Sequence, residues 1–319
     1  MPQIQTSPRH RRIRGVLAPV VTPFTADFSP DHERFISHCQ WLLSQKCGLA
    51  VFGTNSEANS MSAEERMALL DAAVEAGLDP SRMMPGTGCC SITETVKLTA
   101  HAVKHGCAGV LMLPPFYYKD VSEEGLCRYF SEVVQRVGDP RLQIYLYHIP
   151  PVAIVGLRPK LIERLLDAYP NTIAGIKDSS SDWNNTKIFL ESFASDGLDV
   201  FVGSESFLLA NLRGGGVGVI SATANVNAAA IHKLYNEWKT TENADEQLSK
   251  LISVRDVFSR KKFPSMIATL KQAIANHGND PEWARVRPPL VQLTPDQGDA
   301  LDAELNAIGF AMSGVKAQE

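Results

Sequence analysis

The 319-residue chain lacks any apolar run near the roughly 18 residues that a membrane-crossing helix needs. Its first segment, Met1 to Arg14, has no apolar stretch of the kind a secretory signal carries; with Arg9, Arg11, Arg12 and Arg14 it reads as a flexible basic tail. A surplus of positive charge is also missing. Lys and Arg number 31 against 35 Asp and Glu, a net charge of -4, which argues against a dedicated nucleic-acid binder. The six cysteines, at positions 39, 47, 89, 90, 107 and 127, form no CxxC pair. They make no disulfide framework for a chain of this length, so a reducing, cytoplasmic setting is the expectation.

What is present is an ordinary globular balance, 44% hydrophobic and 21% charged, which excludes wholesale disorder. Length alone allows two domains of about 150 residues, or one (β/α)₈ barrel of about 250 residues with an appendage.

The order of elements favours the second. A short apolar run followed by an amphipathic helix occurs eight times. The runs are Val16–Val21, Leu49–Phe52, Met83–Gly88, Gly109–Leu113, Ile144–Ile149, Ile173–Lys177, Val200–Gly203 and Val217–Ile220. Ser29 followed by Pro30 predicts the first helix start, with Phe35, Cys39, Leu42 and Leu43 on one face. Ser62 with Glu65, and Ser91 with Glu94, read as capping boxes. Met67, Leu70 and Val74 form the expected buried stripe of the second helix, and Gly77 its stop. Leu126, Tyr129, Phe130, Val133 and Val134 trace a helical stripe in the fourth unit.

Near-continuous apolar strands are buried on both faces, which means a parallel sheet. Eight βα units close into a TIM barrel, whereas a doubly wound sheet would carry GxGxxG after its first strand, and this chain does not. Beyond residue 245 the strand pattern stops. Leu248–Phe258, Phe263–Ala275 and Pro295–Ile308 read as three helices. The expected organisation is a tail over 1–14, an α/β (β/α)₈ barrel over 15–245 and a C-terminal helical appendage over 246–319.

Active sites of such barrels lie at the carboxyl ends of the strands. Three ends carry unusual chemistry: Lys177 in the sixth unit, Tyr147-His148 in the fifth, and Gly53-Thr54-Asn55-Ser56-Glu57 in the second. A lysine at the mouth is partly desolvated, which penalises its ammonium and favours the neutral amine that attacks ketones. The alternative is an ion pair with Asp178 or another rim carboxylate. Tyr147 offers a phenol for proton transfer, and Thr54 a hydroxyl that both donates and accepts; the alternative is a hydrogen-bonded mouth aromatic. Gly53, Thr54 and Asn55 can present donors to a carboxylate, or form an ordinary turn.

Other signals are weaker. Gly214-Gly215-Gly216 precedes the eighth strand, the wrong end for a phosphate cradle, and reads as a helix stop. His101 and His105 stand at metal-ligating i, i+4 spacing, but no acidic third ligand accompanies them in the sequence, so no metal is expected. Cys89-Cys90 lie just past the third strand without an evident histidine partner. By strand alternation His148 points away from Tyr147.

These motifs together resemble the dihydrodipicolinate synthase / N-acetylneuraminate lyase family of class I, pyruvate-handling aldolases. The resemblance runs along the barrel into the helical tail. It rests on Gly15–Phe24, Gly53–Glu57, Pro115–Tyr118, Tyr147–Pro150, Gly175–Ser179 and Gly218–Ser221. It implies that Lys177 forms the Schiff base, Tyr147 is the general acid/base, and Thr54 and Tyr118 complete a proton relay. Tyr118 is often lent across a tight dimer in this family. Thr54 and Asn55 would hold the pyruvate carboxylate, and Gly203 and Ile220 would line the site.

The resemblance further implies no cofactor beyond the covalent imine, a small 2-oxo acid such as pyruvate as ligand, no nucleic-acid or membrane partner, and a homotetramer of tight dimers. Family members that make dihydrodipicolinate carry an arginine where this chain has Val152, and a second threonine stands where it has Asn55. These departures favour a catabolic 2-oxo-3-deoxy acid, cleaved or dehydrated, over lysine biosynthesis by 4-hydroxy-tetrahydrodipicolinate synthase. A catalytically silent 2-oxo-acid-binding barrel, and a phosphate-binding barrel without imine chemistry, are the rivals.

Overall fold

A computed structural model describes residues 12–312 and 314. Seven strands are parallel: β1 (Gly15–Ala18), β2 (Gly48–Leu49), β3 (Val110–Met112), β4 (Ile144–His148), β5 (Ile173–Asp178), β6 (Asp199–Val202) and β7 (Gly218–Ile220). They run β2-β1-β7-β6-β5-β4-β3 around the sheet. The gap between β2 and β3 is filled by the third apolar run. Met84 N–H donates to Leu49 O (2.8 Å) and Gly86 N–H to Val51 O (2.7 Å), while Leu111 N–H donates to Pro85 O (2.8 Å). The run pairs only by isolated bridges because Pro85 has no N–H to give. A side chain at Gly86 would start 2.2 Å from Phe52 O, so only glycine lets this stave close the barrel.

Side chains alternate across the barrel wall. Tyr145, Tyr147, Phe201, Ile220, Leu17 and Leu111 fill the interior. Ile144, Leu146, Ile176, Val200 and Val202 face the surrounding helices in the larger outer core. This double burial is why the strands read as unbroken apolar runs.

Local boundaries differ from the sequence reading in a few places. The first helix, His32–Ser44, is capped by Asp31, whose side chain accepts Arg34 N–H, two residues after the expected Ser29. Asp31 satisfies an orphan amide more directly than Ser29, which is engaged with Asp27. Ser62 and Glu65 form the expected reciprocal box, but Ser91 caps helix Ile92–Lys104 from one side only. In helix Ala63–Glu75 the buried face is Leu69, Leu70 and Ala73, with Arg66; Met67 and Val74 are half-buried. Gly77, at φ 83°, ends that turn as read.

Residues 1–11 of the expected flexible tail lie outside the described residues. Arg12 and Arg14 are held at the amino-terminal end of the barrel, Arg14 pairing with Asp199 at 2.9 Å and Arg12 donating to Ala174 O at 3.1 Å.

The three C-terminal helices are Ala244–Phe258, Met266–Gly278 and Pro295–Ala307. They share a core with Val21 and Ala222, which follow β1 and β7, so they pack beside the barrel mouth. No helix among the described residues is long and apolar enough to cross a membrane.

Candidate active site

The register places Tyr147 beside Lys177 and Lys177 beside Phe201 on three adjacent strands. Both Lys177 and Tyr147 are only 3% exposed. Lys177 Nζ sits 4.2 Å from the centre of the Tyr147 ring, a contact that partly compensates an ammonium removed from water. Lys177 forms no ion pair among the described residues. Asp178, the partner that a structural role would need, points to the other face. Its carboxylate accepts Ser180 N–H (2.9 Å), Ser180 Oγ (3.1 Å) and Thr186 Oγ1 (2.5 Å). The lysine is therefore desolvated without a counter-charge.

Thr54 reaches Tyr147 from the second unit, its Oγ1 3.4 Å from the phenol oxygen. That separation is long for two hydroxyls and leaves room to tighten around a ligand. The turn Thr54–Ser56 is braced from several sides. Thr22 Oγ1 donates to Ser56 O (2.8 Å), and Gly53 N–H donates to Ser56 Oγ (3.1 Å). Glu57 ends the turn in the left-handed region at φ 55°. Its buried carboxylate accepts Lys271 Nζ (2.8 Å) and Arg287 N–H (2.8 Å), both from the C-terminal part of the chain.

A small recess opens beside Thr54 and Tyr147, bounded also by Gly53, Gly88 and Leu113 but not by Lys177. A larger groove lies outside the barrel, lined by His38, Trp41 and Trp283, and holds neither Lys177 nor Tyr147. Asn55 is half-buried next to Thr54. Ile220 lines the barrel interior. Gly203 N–H donates to Asp178 O (2.7 Å), and a side chain there would start 2.1 Å from Ser179 Oγ, so glycine keeps β5 and β6 close beyond Lys177. Tyr118 is not brought to these residues within one chain. It is 74% exposed, edge-on to Tyr117 at 5.3 Å.

His148 faces outward as alternation requires. Its Nδ1 accepts Leu157 N–H (2.9 Å), and burial lowers its pKa, with Asp178 acting in the opposite sense. Cys89 does have a partner, Arg66 at 3.4 Å, yet burial raises its pKa, which disfavours the thiolate.

Sequence reasoning missed a second charged cluster at the mouth. Glu205 follows β6 and is 1% exposed. It accepts hydrogen bonds from Ser221 and Thr223 after β7, and pairs with Arg255 at 3.1 Å. Arg255 lies in helix Ala244–Phe258, as Lys271 lies in Met266–Gly278. The appendage thus supplies cations to two buried carboxylates of the mouth loops. Partners 50 and 214 residues apart in the chain leave no spacing signal to read.

Residues 12–308 match the dihydrodipicolinate synthetase family. The chain belongs to that family. It is accordingly a class I lyase. An uncharacterized DapA-like lyase of Chloroflexus aurantiacus is 30% identical over 298 residues, 92% of this chain and 97% of that protein. Among solved structures, dihydrodipicolinate synthase from Agrobacterium tumefaciens is 30% identical with TM-score 0.84, covering 93% of this chain and all of that one. YagE, a prophage protein of the same family from E. coli K12 solved in complex with pyruvate, is 27% identical with TM-score 0.84, covering 94% and 99%.

Proposed function

We propose that this lyase uses Lys177 to form a Schiff base with a 2-oxo acid, releasing pyruvate from a 2-oxo-3-deoxy sugar acid. The observation that carries the reading is a nearly inaccessible lysine with no counter-ion among the described residues, stacked on a tyrosine within reach of a threonine hydroxyl. The Lys177 amine adds to the ketone carbon and water leaves, giving an iminium. Tyr147, with Thr54 relaying, takes the proton from the C4 hydroxyl as the C3–C4 bond breaks. The electron pair passes into the iminium as an enamine and an aldehyde departs. Protonation at C3 and hydrolysis then free pyruvate and the amine. Everything reactive comes from the chain and substrate, so no metal or organic cofactor is required.

Thr54 and Asn55, at the start of a one-turn helix, offer donors for the substrate carboxylate. Ile220 and Gly203 shape the pocket. Val152 cannot grip a second carboxylate in the bidentate way an arginine would, which favours sugar-acid breakdown over dihydrodipicolinate formation. Tyr118 enters from a second copy. Tyr117, Tyr118, Val152 and Ile154 are each more than 60% exposed, and Lys119 ties their two loops by donating to Ala153 O at 3.4 Å. Exposed apolar groups gathered this way mark an interface. The expected assembly is a tetramer of tight dimers, acting in the cytoplasm.

A panel of 2-oxo acids, read for both pyruvate and dehydration products, tests the reading. Pyruvate from a 2-oxo-3-deoxy acid is expected. A thermal shift with pyruvate but no product from any member would instead indicate a silent binding barrel.

A further inference from the structure

On the outside of the barrel, away from the mouth, two helices bring three metal-ligating side chains together. His101 and His105 occupy one face at the end of helix Ile92–Lys104. The acidic residue absent from their neighbourhood in sequence comes from the adjacent helix, Ala63–Glu75. Asp71 Oδ1 lies 2.9 Å from His101 Nε2 and 2.7 Å from His105 Nε2. The three candidate donor atoms all fall within 4.8 Å of one another. The expectation that no carboxylate accompanies the pair is thus corrected: the third group is 30 residues from His101 in the chain and adjacent in space.

Two features set this cluster apart from an ordinary histidine–carboxylate contact. Both imidazoles aim the same nitrogen at one oxygen, and the rings meet edge-on at 4.7 Å. Moreover, His101 Nε2 is buried and makes no hydrogen bond of acceptable geometry, despite its closeness to Asp71. A buried ring nitrogen directed at a shared point without a bond has an unmet need for a partner. The two imidazoles are largely covered, and an ion reaches the cluster on the side of Asp71, whose side chain is 42% exposed.

We propose that Asp71, His101 and His105 bind a divalent transition metal, with water completing the shell. Two imidazoles and one carboxylate suit Zn²⁺, Co²⁺, Ni²⁺ or Cu²⁺ over Mg²⁺ or Ca²⁺. Zinc–nitrogen and zinc–oxygen bonds of about 2.0–2.2 Å set tetrahedral ligand pairs roughly 3.3 Å apart. The two Asp71–histidine separations are shorter than that, and the exposed Asp71 side chain has room to move outward. The ion would clamp the second and third barrel helices together. It lies apart from Lys177 and has no part in the lyase chemistry.

The test uses the untagged full-length chain, stripped of metal by a chelator and dialysed, and titrated with Co²⁺. One Co²⁺ per chain is expected, with visible bands of an N/O site and no sulfur charge-transfer band, and displaced by Zn²⁺. His101→Ala and His105→Ala should each weaken binding by more than tenfold. Asp71→Asn, which keeps the shape of the side chain, should weaken it by roughly tenfold or more. Excess Zn²⁺ should raise the unfolding temperature by a few degrees in the parent chain and leave the histidine variants unmoved. Absence of Co²⁺ uptake, uptake unchanged in His101→Ala and His105→Ala, or sulfur-type bands tracing it to cysteine would each overturn the proposal.

Discussion

Two lysines are removed from water, Lys177 on a barrel strand and Lys271 on a C-terminal helix, and they differ in whether a carboxylate faces them. Lys271 is fully buried, stands 4.5 Å from the Phe24 ring, and is paired with Glu57. Lys177 is almost as buried and stands 4.2 Å from the Tyr147 ring, but has no carboxylate partner among the described residues. Burial and an aromatic face are common to both; the counter-ion is not. Even with Glu57 in contact, desolvation outweighs attraction at Lys271 and brings its pKa down to about 8. The difference is that a carboxylate is built to hold Lys271 in place, whereas Lys177 meets only the face of an aromatic ring.

Replacement of each lysine separates the two roles. Lys177→Ala, or Lys177→Arg with charge retained, should abolish turnover, a loss on the order of 10⁴-fold or more as when other covalent nucleophiles are removed. Unfolding temperature should change little. Tyr147→Phe should still permit slow imine formation while turnover drops about 10²–10⁴-fold, the range for a lost acid/base group. An unchanged rate would show that proton transfer lies elsewhere.

Lys271→Met should act on stability. It leaves Glu57 charged and buried alone, a cost of about 3–5 kcal/mol by denaturant unfolding, and Glu57→Gln should cost a similar amount. The double variant should recover most of the loss, since two neutral partners remove the orphan charge. Additive losses would contradict the reading of this pair as a matched unit. Because Glu57 ends the turn carrying Thr54, catalysis in the single variants should weaken without disappearing.

The smallest effect is in pH. Lys271 titrates near 8 in the folded chain and near 10.5 when unfolded. Between those values the unfolded chain binds the extra proton, so this group adds stability as pH rises, at most about 1.4 kcal/mol per unit, and withdraws it as pH falls toward 8. The parent chain should therefore gain relative to the double variant between pH 8 and 10. A parallel course for the two proteins would place the Lys271 pKa back in its usual range.

The barrel was legible because buried parallel strands write apolar runs, and the helices after them carry one greasy face each. The least regular stave, around Pro85, was still readable, since its neighbours fixed where it had to be. That Lys177 and Tyr147 stand side by side was legible from their places at adjacent strand ends, and Thr54's place from the turn after β2; the roles expected of them came from the family resemblance alone. The Lys271–Glu57 and Arg255–Glu205 pairs were not, nor was Asp71 beside its histidines. Each joins segments whose proximity is created only when the barrel closes or the appendage docks. Tyr118 was legible by resemblance alone, because the contact expected of it lies beyond one chain.

Borohydride reduction in the presence of pyruvate, followed by peptide mass spectrometry, probes the distinction between the two lysines most directly. A single reduced pyruvyl adduct on the peptide carrying Lys177, with the Lys271 peptide unlabelled, is the expected result. A folded protein that gains no adduct at Lys177, or gains it at Lys271 instead, would contradict it.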